Sequence, residues 1–312
     1  MQKYSIGPFE WALLIGLSII WGASYLFMKM AVASVPVFTI VFLRVVLGAL
    51  ALAFVIFMIR VPFPKGFFLW RSFLGMGVVN NVIPMSLIVY GTSKIDAGLA
   101  SIINAMTPLF AIVIAHFTTS DERFTVNRLI GVALGVCGVI ILIGPSFLFN
   151  TEIDLWGELA CLAATLSYAT ASIFGRRFAR MKLQPVQIAF GQTASASLVL
   201  LPISWIIDKP WTIAMPTPSA IVSIVALGIL CTAIGYLMYF RILNNSGAVA
   251  VALVTLLIPP SALVLGIFIL GETLSFTDLI GMGLIGIGLV IVNFRMKTRH
   301  TISERKSATT SS

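Results

Sequence analysis

Long apolar runs separated by short polar connections occupy almost the whole chain. Each run approaches the ~20 residues that an α-helix needs to cross the hydrocarbon core of a bilayer. Because the connections are short, little of the chain remains for a soluble domain. The pattern therefore predicts an all-α polytopic membrane protein with ten transmembrane helices, at residues 10–31, 37–59, 68–90, 97–117, 127–144, 155–175, 186–207, 219–240, 247–270 and 276–294.

Composition leads to the same class. The 312 residues are 59% hydrophobic and 10% charged, with a mean hydropathy of +1.06, whereas a soluble protein of this size needs more surface charge. The first run is too long for a cleaved signal peptide and contains Trp21 and Lys29, so we expect it to remain as a helix. The polar, low-complexity tail at residues 295–312 is expected to be disordered and cytoplasmic.

Lysine and arginine are distributed unevenly between the two sets of connections. One set holds only Lys94 and Lys209. Since basic connections stay on the cytoplasmic side, both termini are expected in the cytoplasm and the protein in the inner (plasma) membrane. Anionic lipid accounts for the net charge of +9, so no nucleic-acid partner is expected. The other set holds sixteen basic residues: Lys3, Arg60, Lys65, Arg71, Arg123, Arg128, Arg176, Arg177, Arg180, Lys182, Arg241, Arg295, Lys297, Arg299, Arg305 and Lys306.

The two halves of the chain repeat the same motifs. "ERFTVNRLIG" (122–131) is matched by "ETLSFTDLIG" (272–281), and "MTPLFAIVIAHF" (106–117) by "LIPPSALVLGIF" (257–268). We therefore expect two homologous five-helix repeats, at residues 9–146 and 155–294. Because five is odd, the second repeat enters the membrane from the opposite side, and such inverted repeats are characteristic of secondary transporters.

Several motifs, in order along the chain, also resemble a known family. These are "WGASYLFMK" (21–29), "FLR" (42–44), and "TPLFA" (107–111) followed by "ER" (122–123), with "IPPSA" (258–262) and "LGETLS" (270–275) as the echo. With them, the chain resembles the EamA-type transporters of the drug/metabolite transporter superfamily. The resemblance implies an inner-membrane carrier, often an exporter of amino acids or other small metabolites. The sequence "TTSDER" departs from the family pattern, which usually has an apolar residue and Gly before the Glu.

Prolines interrupt the fourth and ninth predicted helices at equivalent places, Pro108 and Pro259. Each removes a backbone hydrogen bond and leaves carbonyl groups free one turn earlier. Proline-interrupted helices at corresponding positions of two repeats point to the site of a transporter. We expect hinges there, with Asn104 and Thr255, four residues earlier, as candidate solute contacts; stabilisation of a kink by a polar side chain is the alternative.

Other polar and aromatic residues near the middle of predicted helices are further candidates for the solute site. Asn80 and Asn81 precede Pro84, and two adjacent amides in hydrocarbon are costly unless they face a cavity or a partner. The aromatic candidates have a broad apolar face with one polar group, although packing between helices explains each of them equally well alone. They are Trp21, Tyr25, Tyr168 and Tyr236.

Charged residues inside predicted helices are rare. Arg44 is the deepest, and we expect it to favour a solute carboxylate; the alternative is an ion pair with Glu158. Lys29 has the length to reach the outer surface, and His116 sits at a helix end, where an interfacial position is more common than a proton relay. Glu122 and Glu272 occupy equivalent positions in the two repeats, each just before a helix. We expect each to cap the N-terminus of the helix that follows it, and Ser275 is the other candidate cap for the helix after Glu272.

These features separate three classes of function. An enzyme needs converging nucleophile, base or metal ligands, but the chain has two His, no HExxH motif and no metal-ligand spacing among Cys137, Cys161 and Cys231. A channel or scaffold does not need an inverted repeat. We therefore expect a carrier without cofactor or metal, with a small-molecule solute and the lipid bilayer as partners. Export is favoured, uptake is the alternative, and monomer and homodimer remain open.

Overall fold

The computed structural model describes residues 8–118, 125–149, 155–181 and 183–294, and within them every regular element is helical. The tail at 295–312 and Glu122 lie outside the described residues. We name ten helices by the described bounds: α1 Pro8–Val32, α2 Val37–Met58, α3 Phe67–Lys94, α4 Ala97–Thr118, α5 Val126–Phe149, α6 Leu155–Gly175, α7 Pro185–Asp208, α8 Pro218–Leu243, α9 Leu253–Leu270 and α10 Phe276–Phe294.

Eight of these helices are long and apolar enough to cross a bilayer, among the described residues. The other two, α5 and α10, contain shorter apolar segments, Val126–Leu142 and Phe276–Val292. The chain is therefore a multi-pass, all-helical membrane protein, and the number of ten spans remains a prediction.

Helices α8 and α9 are separated by a reversal of the chain, although helical geometry is assigned throughout Gly235–Leu265. Gly22 packs directly against Ser261 and Ala262, and the indole of Trp21 packs directly on Gly235. In one straight helix, residues 235 and 261 would lie roughly 39 Å apart, at 1.5 Å per residue. Since both contact the same turn of α1, the chain must fold back between them, as two separate helices require.

Corresponding helices of the two repeats pack against each other in opposite directions. Gly131 near the start of α5 packs on Gly288 near the end of α10, while Gly138 packs on Gly281. Glycines permit this close approach in lipid, where no hydrophobic force drives helices together. Helices α2 and α7 also cross antiparallel, because the start of α2 meets the end of α7 and the reverse.

The remaining helix contacts come in equivalent pairs: where a helix of the first repeat packs on helices of the second, its counterpart in the second repeat packs on the equivalent helices of the first. Helix α1 packs on α8 and α9, and its counterpart α6 packs on α3 and α4. Likewise α2 packs on α8, as α7 packs on α3. This gives two groups of helices, α1, α8 and α9 on one side and α3, α4 and α6 on the other, joined by α2 and α7.

Local irregularities fall at matching places in the third and eighth helices. Residues Val78–Val82 in α3 and Leu227–Ile234 in α8 form π-helical turns. A π-turn breaks the regular i→i−4 ladder and is frequent at functional sites. Both segments carry polar side chains into the interior, Asn81 in the first and Thr232 in the second, and each is almost fully buried.

The proline sites differ between the repeats. Helix α4 is interrupted at Ala105 and Met106, directly before Thr107 and Pro108. The ninth helix carries Pro259 and Pro260 without an interruption in its assigned helical geometry. A break beside the proline is therefore present only in the first repeat.

Several helices begin at caps that the sequence encodes. Helix α7 starts with a capping box between Gln184 and Gln187, and Pro185 occupies its first turn, where its missing N–H costs nothing. The Thr217 hydroxyl caps α8 by accepting from the N–H of Ala220. Local sequence therefore defines these starts, whereas the start of α2 depends on a distant carboxylate, described below.

Candidate functional site

Arg44 lies near the middle of α2 and is only 7% exposed. Its Nε donates to the Thr232 hydroxyl at 3.1 Å, and its Nη1 lies 3.6 Å from the Met28 sulfur. The Thr232 hydroxyl itself donates to the Leu227 carbonyl at 2.8 Å, so the π-turn of α8 fixes its orientation. Thr232 was not anticipated from the sequence.

No carboxylate of the described residues forms an ion pair with Arg44. The alternative pairing with Glu158 is not formed: Glu158 is buried in the first turn of α6, close to Cys161. A buried charge without a counter-charge is expensive, and a guanidinium has five N–H donors. Arg44 therefore has unused capacity to bind an anion.

Asn80 joins two other helices through one amide nitrogen. Its Nδ2 lies 3.1 Å from Gln192 Oε1 on α7, 3.1 Å from the Tyr236 hydroxyl on α8 and 3.3 Å from Asn81 Oδ1. Asn81 is fully buried, and its own amide nitrogen has no hydrogen-bond partner. The sequence prediction did not include Gln192, although an amide side chain in the middle of an apolar helix was a usable signal.

Tyrosines surround Arg44. Tyr25 is buried and interacts with the side chain of Asn104 on α4. Arg44 is close enough to interact electrostatically with the hydroxyls of Tyr25, Tyr168 and Tyr236. The structure thus brings these sequence candidates, from α1, α2, α6 and α8, into one interior cluster.

Several members of this cluster are half-buried rather than buried, although protein surrounds them. Asn80, Asn104, Tyr168 and Tyr236 all retain accessible surface. These four side chains therefore keep accessible surface and polar groups in the same part of the fold. A region lined by amides, phenols and one guanidinium suits a small solute with both polar and apolar parts.

The other candidates have more structural surroundings. The Trp21 indole donates to the Cys231 carbonyl at 3.1 Å, and its ring lies 5.6 Å from that of Tyr239. Its mid-helix position is thus explained by a bond to α8. The Thr255 hydroxyl lies 3.4 Å from the carbonyl of Val251 in its own helix. The described contacts do not connect Thr255 to Arg44.

At one end of the fold, hydrogen bonds join the two helix groups. The Glu272 carboxylate, in the α9–α10 turn, accepts from the N–H groups of Ala97 and Gly98 at 2.7 and 3.1 Å. Lys29 Nζ donates to the Ile95 carbonyl at 2.8 Å. Lys29 therefore does not simply extend to the surface but bonds the connection between α3 and α4.

The expectation that Glu272 caps the helix after it is wrong. Helix α10 is capped instead by Ser275, whose hydroxyl accepts from the N–H of Asp278 at 3.1 Å. Glu272 caps α4, a helix of the other repeat. Asp208 acts in the same way at this end, accepting from the N–H and hydroxyl of Thr39 at the start of α2, at 2.6 and 2.9 Å.

Among the described residues, contacts between the two helix groups are unevenly distributed along the helices. The segments Ile83–Lys94 and Ala97–Asn104 pack on α1, and the second also packs on α9. The segments Phe67–Gly77 and Thr107–Thr118, nearer the other end of the same helices, pack chiefly on α6, α7 and α5. Among the described residues, the contacts between the two helix groups therefore lie chiefly at the end that holds the α3–α4 connection.

The other regions of the described chain have few polar or charged side chains that could bind a solute or a metal. A groove of about 480 Å³ beside α2 and α7 is lined almost wholly by apolar side chains, such as Phe42, Trp205 and Met215, and by no charged one. Among the described residues no group of three His, Cys, Asp or Glu is placed to hold a metal. His116 packs edge-on against Phe117 near the end of α4.

Comparison with known proteins gives consistent results. The EamA-like transporter family matches residues 9–144 and 155–294. The chain is 25% identical to "Uncharacterized transporter YoaV" of Bacillus subtilis over 291 residues, 92% of this chain and 97% of the relative. It is 28% identical to "Probable amino-acid metabolite efflux pump" of Salmonella typhimurium over 293 residues, 91% and 94% of the two chains. A solved crystal structure with 20% identity and a TM-score of 0.62 covers 90% of this chain and 96% of its own, and shows a shared fold.

Proposed function

The chain belongs to the EamA-like transporter family, and from this premise we propose that it is an alternating-access secondary carrier that exports small, carboxylate-bearing amphipathic metabolites, amino acids first. We further propose ten spans in two inverted repeats, with both termini in the cytoplasm. Arg44 carries the proposal: it is a buried guanidinium within the central cluster of tyrosines and amides, and no described carboxylate neutralises it.

Arg44 is suited to a carboxylate for geometric reasons. Its planar fork can hold both oxygens of a carboxylate by parallel N–H bonds, which a lysine cannot do. The Thr232 hydroxyl holds Nε, while the terminal nitrogens have only the weak contact with the Met28 sulfur. A bound carboxylate would provide the counter-charge that the described residues do not.

Alternating access is supported by the position of the described contacts between the two helix groups. Glu272 and Lys29 join the groups at the end that holds the α3–α4 connection. The antiparallel pairing of α2 with α7 and of α5 with α10 is the arrangement that a two-fold axis in the membrane plane produces. With the orientation proposed from the basic residues, the joined end faces outward, and we propose that the carrier in this state opens to the cytoplasm.

Export is supported by the names of similar proteins. Two similar proteins, from Salmonella typhimurium and Escherichia coli, are named probable amino-acid metabolite efflux pumps. Uptake is the alternative direction. Neither an enzyme nor a channel is favoured by a specific observation at the cluster.

Counterflow in vesicles tests the proposal. Inside-out vesicles preloaded with unlabelled L-leucine should accumulate external labelled L-leucine faster than vesicles lacking the protein, and Arg44→Ala should reduce this at least tenfold. The control is Thr193→Val, because this hydroxyl bonds only to carbonyls of its own helix. If no solute from a panel of amino acids and other carboxylates exchanges above background, the proposal fails. A net flux that runs only inward in right-side-out vesicles would establish uptake.

A further inference from the structure

We propose that Asn80, Asn81, Gln192 and Tyr236 form a second pole of the solute site, the amide pole, which receives the amino group of a zwitterionic solute. This inference rests on the proposed function, with Arg44 as the pole for the carboxylate. The amide pole makes the carrier select amino acids over acids of the same shape that lack the amino group.

The hydrogen-bond count at the amide pole leaves acceptors free. Three oxygens, from Gln192, Tyr236 and Asn81, lie within 3.3 Å of the single nitrogen Nδ2 of Asn80. An amide nitrogen has two hydrogens, so at least one oxygen has no hydrogen from Asn80 at any moment. An ammonium group has three donors and no acceptor, and it suits such a surplus of oxygens.

Asn81 adds an independent sign of a missing partner. Its side chain is fully buried, its oxygen faces the Asn80 nitrogen, and its own nitrogen has no hydrogen-bond partner. Buried amide donors are nearly always satisfied in native proteins. The orphaned donor therefore marks the amide pole as a place where a polar partner is missing.

The two poles are related by the repeat. Arg44 on α2 bonds Thr232 in the π-turn of α8, and Gln192 on α7 bonds Asn80 in the π-turn of α3. The two contacts are equivalent, because α2 and α7 are corresponding helices of the two repeats, as are α8 and α3. Only the chemistry differs: one pole is cationic and the other is neutral and rich in oxygen, so a zwitterion has one preferred orientation.

The amide pole lies within electrostatic reach of Arg44. Arg44 interacts electrostatically with the hydroxyl of Tyr236, and the same hydroxyl accepts a hydrogen bond from Asn80 Nδ2. The two poles therefore belong to the same part of the interior, and we propose that one zwitterionic solute contacts both. No Asp or Glu takes part in the described hydrogen bonds of the pole, so neutral oxygens carry the recognition.

Three probes with the same side chain test this assignment: L-leucine, 2-hydroxyisocaproate and isopentylamine. Wild-type carrier should exchange L-leucine at least tenfold better than 2-hydroxyisocaproate, and isopentylamine poorly. Gln192→Met and Asn81→Leu keep side-chain volume but remove the polar group. Each should lower the preference for L-leucine over 2-hydroxyisocaproate about tenfold while changing exchange of the hydroxy acid less than twofold. Arg44→Gln should instead weaken both acids alike.

The outcomes separate this inference from the proposed function. If wild type exchanges L-leucine and 2-hydroxyisocaproate equally, or if Gln192→Met and Asn81→Leu slow both alike, the amide pole is overturned and the carrier remains. If wild type exchanges none of the three probes or other carboxylates, the proposed function itself fails. Thr193→Val is the matched control next to Gln192, and the melting temperature in detergent verifies folding of every variant.

Discussion

The carboxylate of Glu272 holds the N–H of Ala97 at 2.7 Å across the boundary between the two repeats. The second oxygen of the same carboxylate accepts from the N–H of Gly98. One side chain therefore satisfies two of the free N–H groups at the start of α4. A negative charge at a helix N-terminus is also favoured by the helix dipole. This contact joins the two helix groups at the end that faces away from the termini in the proposed orientation.

Glu272→Ala should therefore favour the state that opens at this end. Hydrogen bonds to a charged group contribute about 2 kcal/mol together with the dipole, which corresponds to a population shift of roughly 30-fold. The measurement is the reaction of a cysteine at Asn104 with an impermeant reagent added outside, in a chain without Cys137, Cys161 and Cys231. Asp278→Ala, which removes a carboxylate near the Ser275 cap of α10, is the control. An unchanged labelling rate in Glu272→Ala would show that the contact is only structural.

Arg44→Lys should impair transport rather than preserve it. Lysine keeps the charge but loses the planar fork, so we expect at least a tenfold loss for carboxylate-bearing solutes. Exchange of labelled solute in vesicles measures this. Since Arg44 does not pair with Glu158, the double variant Arg44→Glu with Glu158→Arg should not recover transport; recovery would contradict the assignment of Arg44 to the solute.

Pro108→Ala should slow transport about three- to tenfold while leaving insertion near normal. The proline follows the interruption at Ala105–Met106, and alanine would let α4 continue as a stiffer helix. Pro259→Ala should have a smaller effect, because Pro260 remains beside it and α9 has no interruption there. Equal effects of both variants would indicate that the break in α4 is not a hinge.

Gly288→Val should destabilise the protein without touching the central cluster. A Cβ built on Gly288 would lie 2.5 Å from the Gly131 carbonyl oxygen, so α5 and α10 would have to separate. We expect a loss of about 2–3 kcal/mol, read as a lower melting temperature in detergent. Gly283→Ala is the matched control in the same helix, since nothing lies within 4 Å of its Cβ position. A similar melting temperature for both variants would contradict the packing role.

The orientation of the protein is open to direct labelling. A cysteine at Lys209 should react with an impermeant reagent from outside, and one at Lys65 should react only after the membrane is permeabilised. The reverse pattern would overturn the cytoplasmic position of both termini, and with it the proposed direction of the opening.

The sequence by itself determined the class of the protein, the positions of its helices and the family, because long apolar runs and repeated motifs are local signals. It also identified Arg44, Tyr25, Tyr168 and Asn80 as interior candidates, since polar groups in apolar helices need partners. The caps that lie next to their helices, at Gln184 and Ser275, follow from local chemistry as well.

The tertiary structure alone decided which of these residues meet. A helix that is apolar on all sides gives no sign of which face is interior, so the contacts of Arg44 with Thr232 and of Asn80 with Gln192 could not be read from spacing. For the same reason Glu272 was assigned to its own helix, although its partners lie 174 and 175 residues away. Free N–H groups at a helix start can donate to any carboxylate that packing brings within reach, and only the three-dimensional fold determines which carboxylate that is.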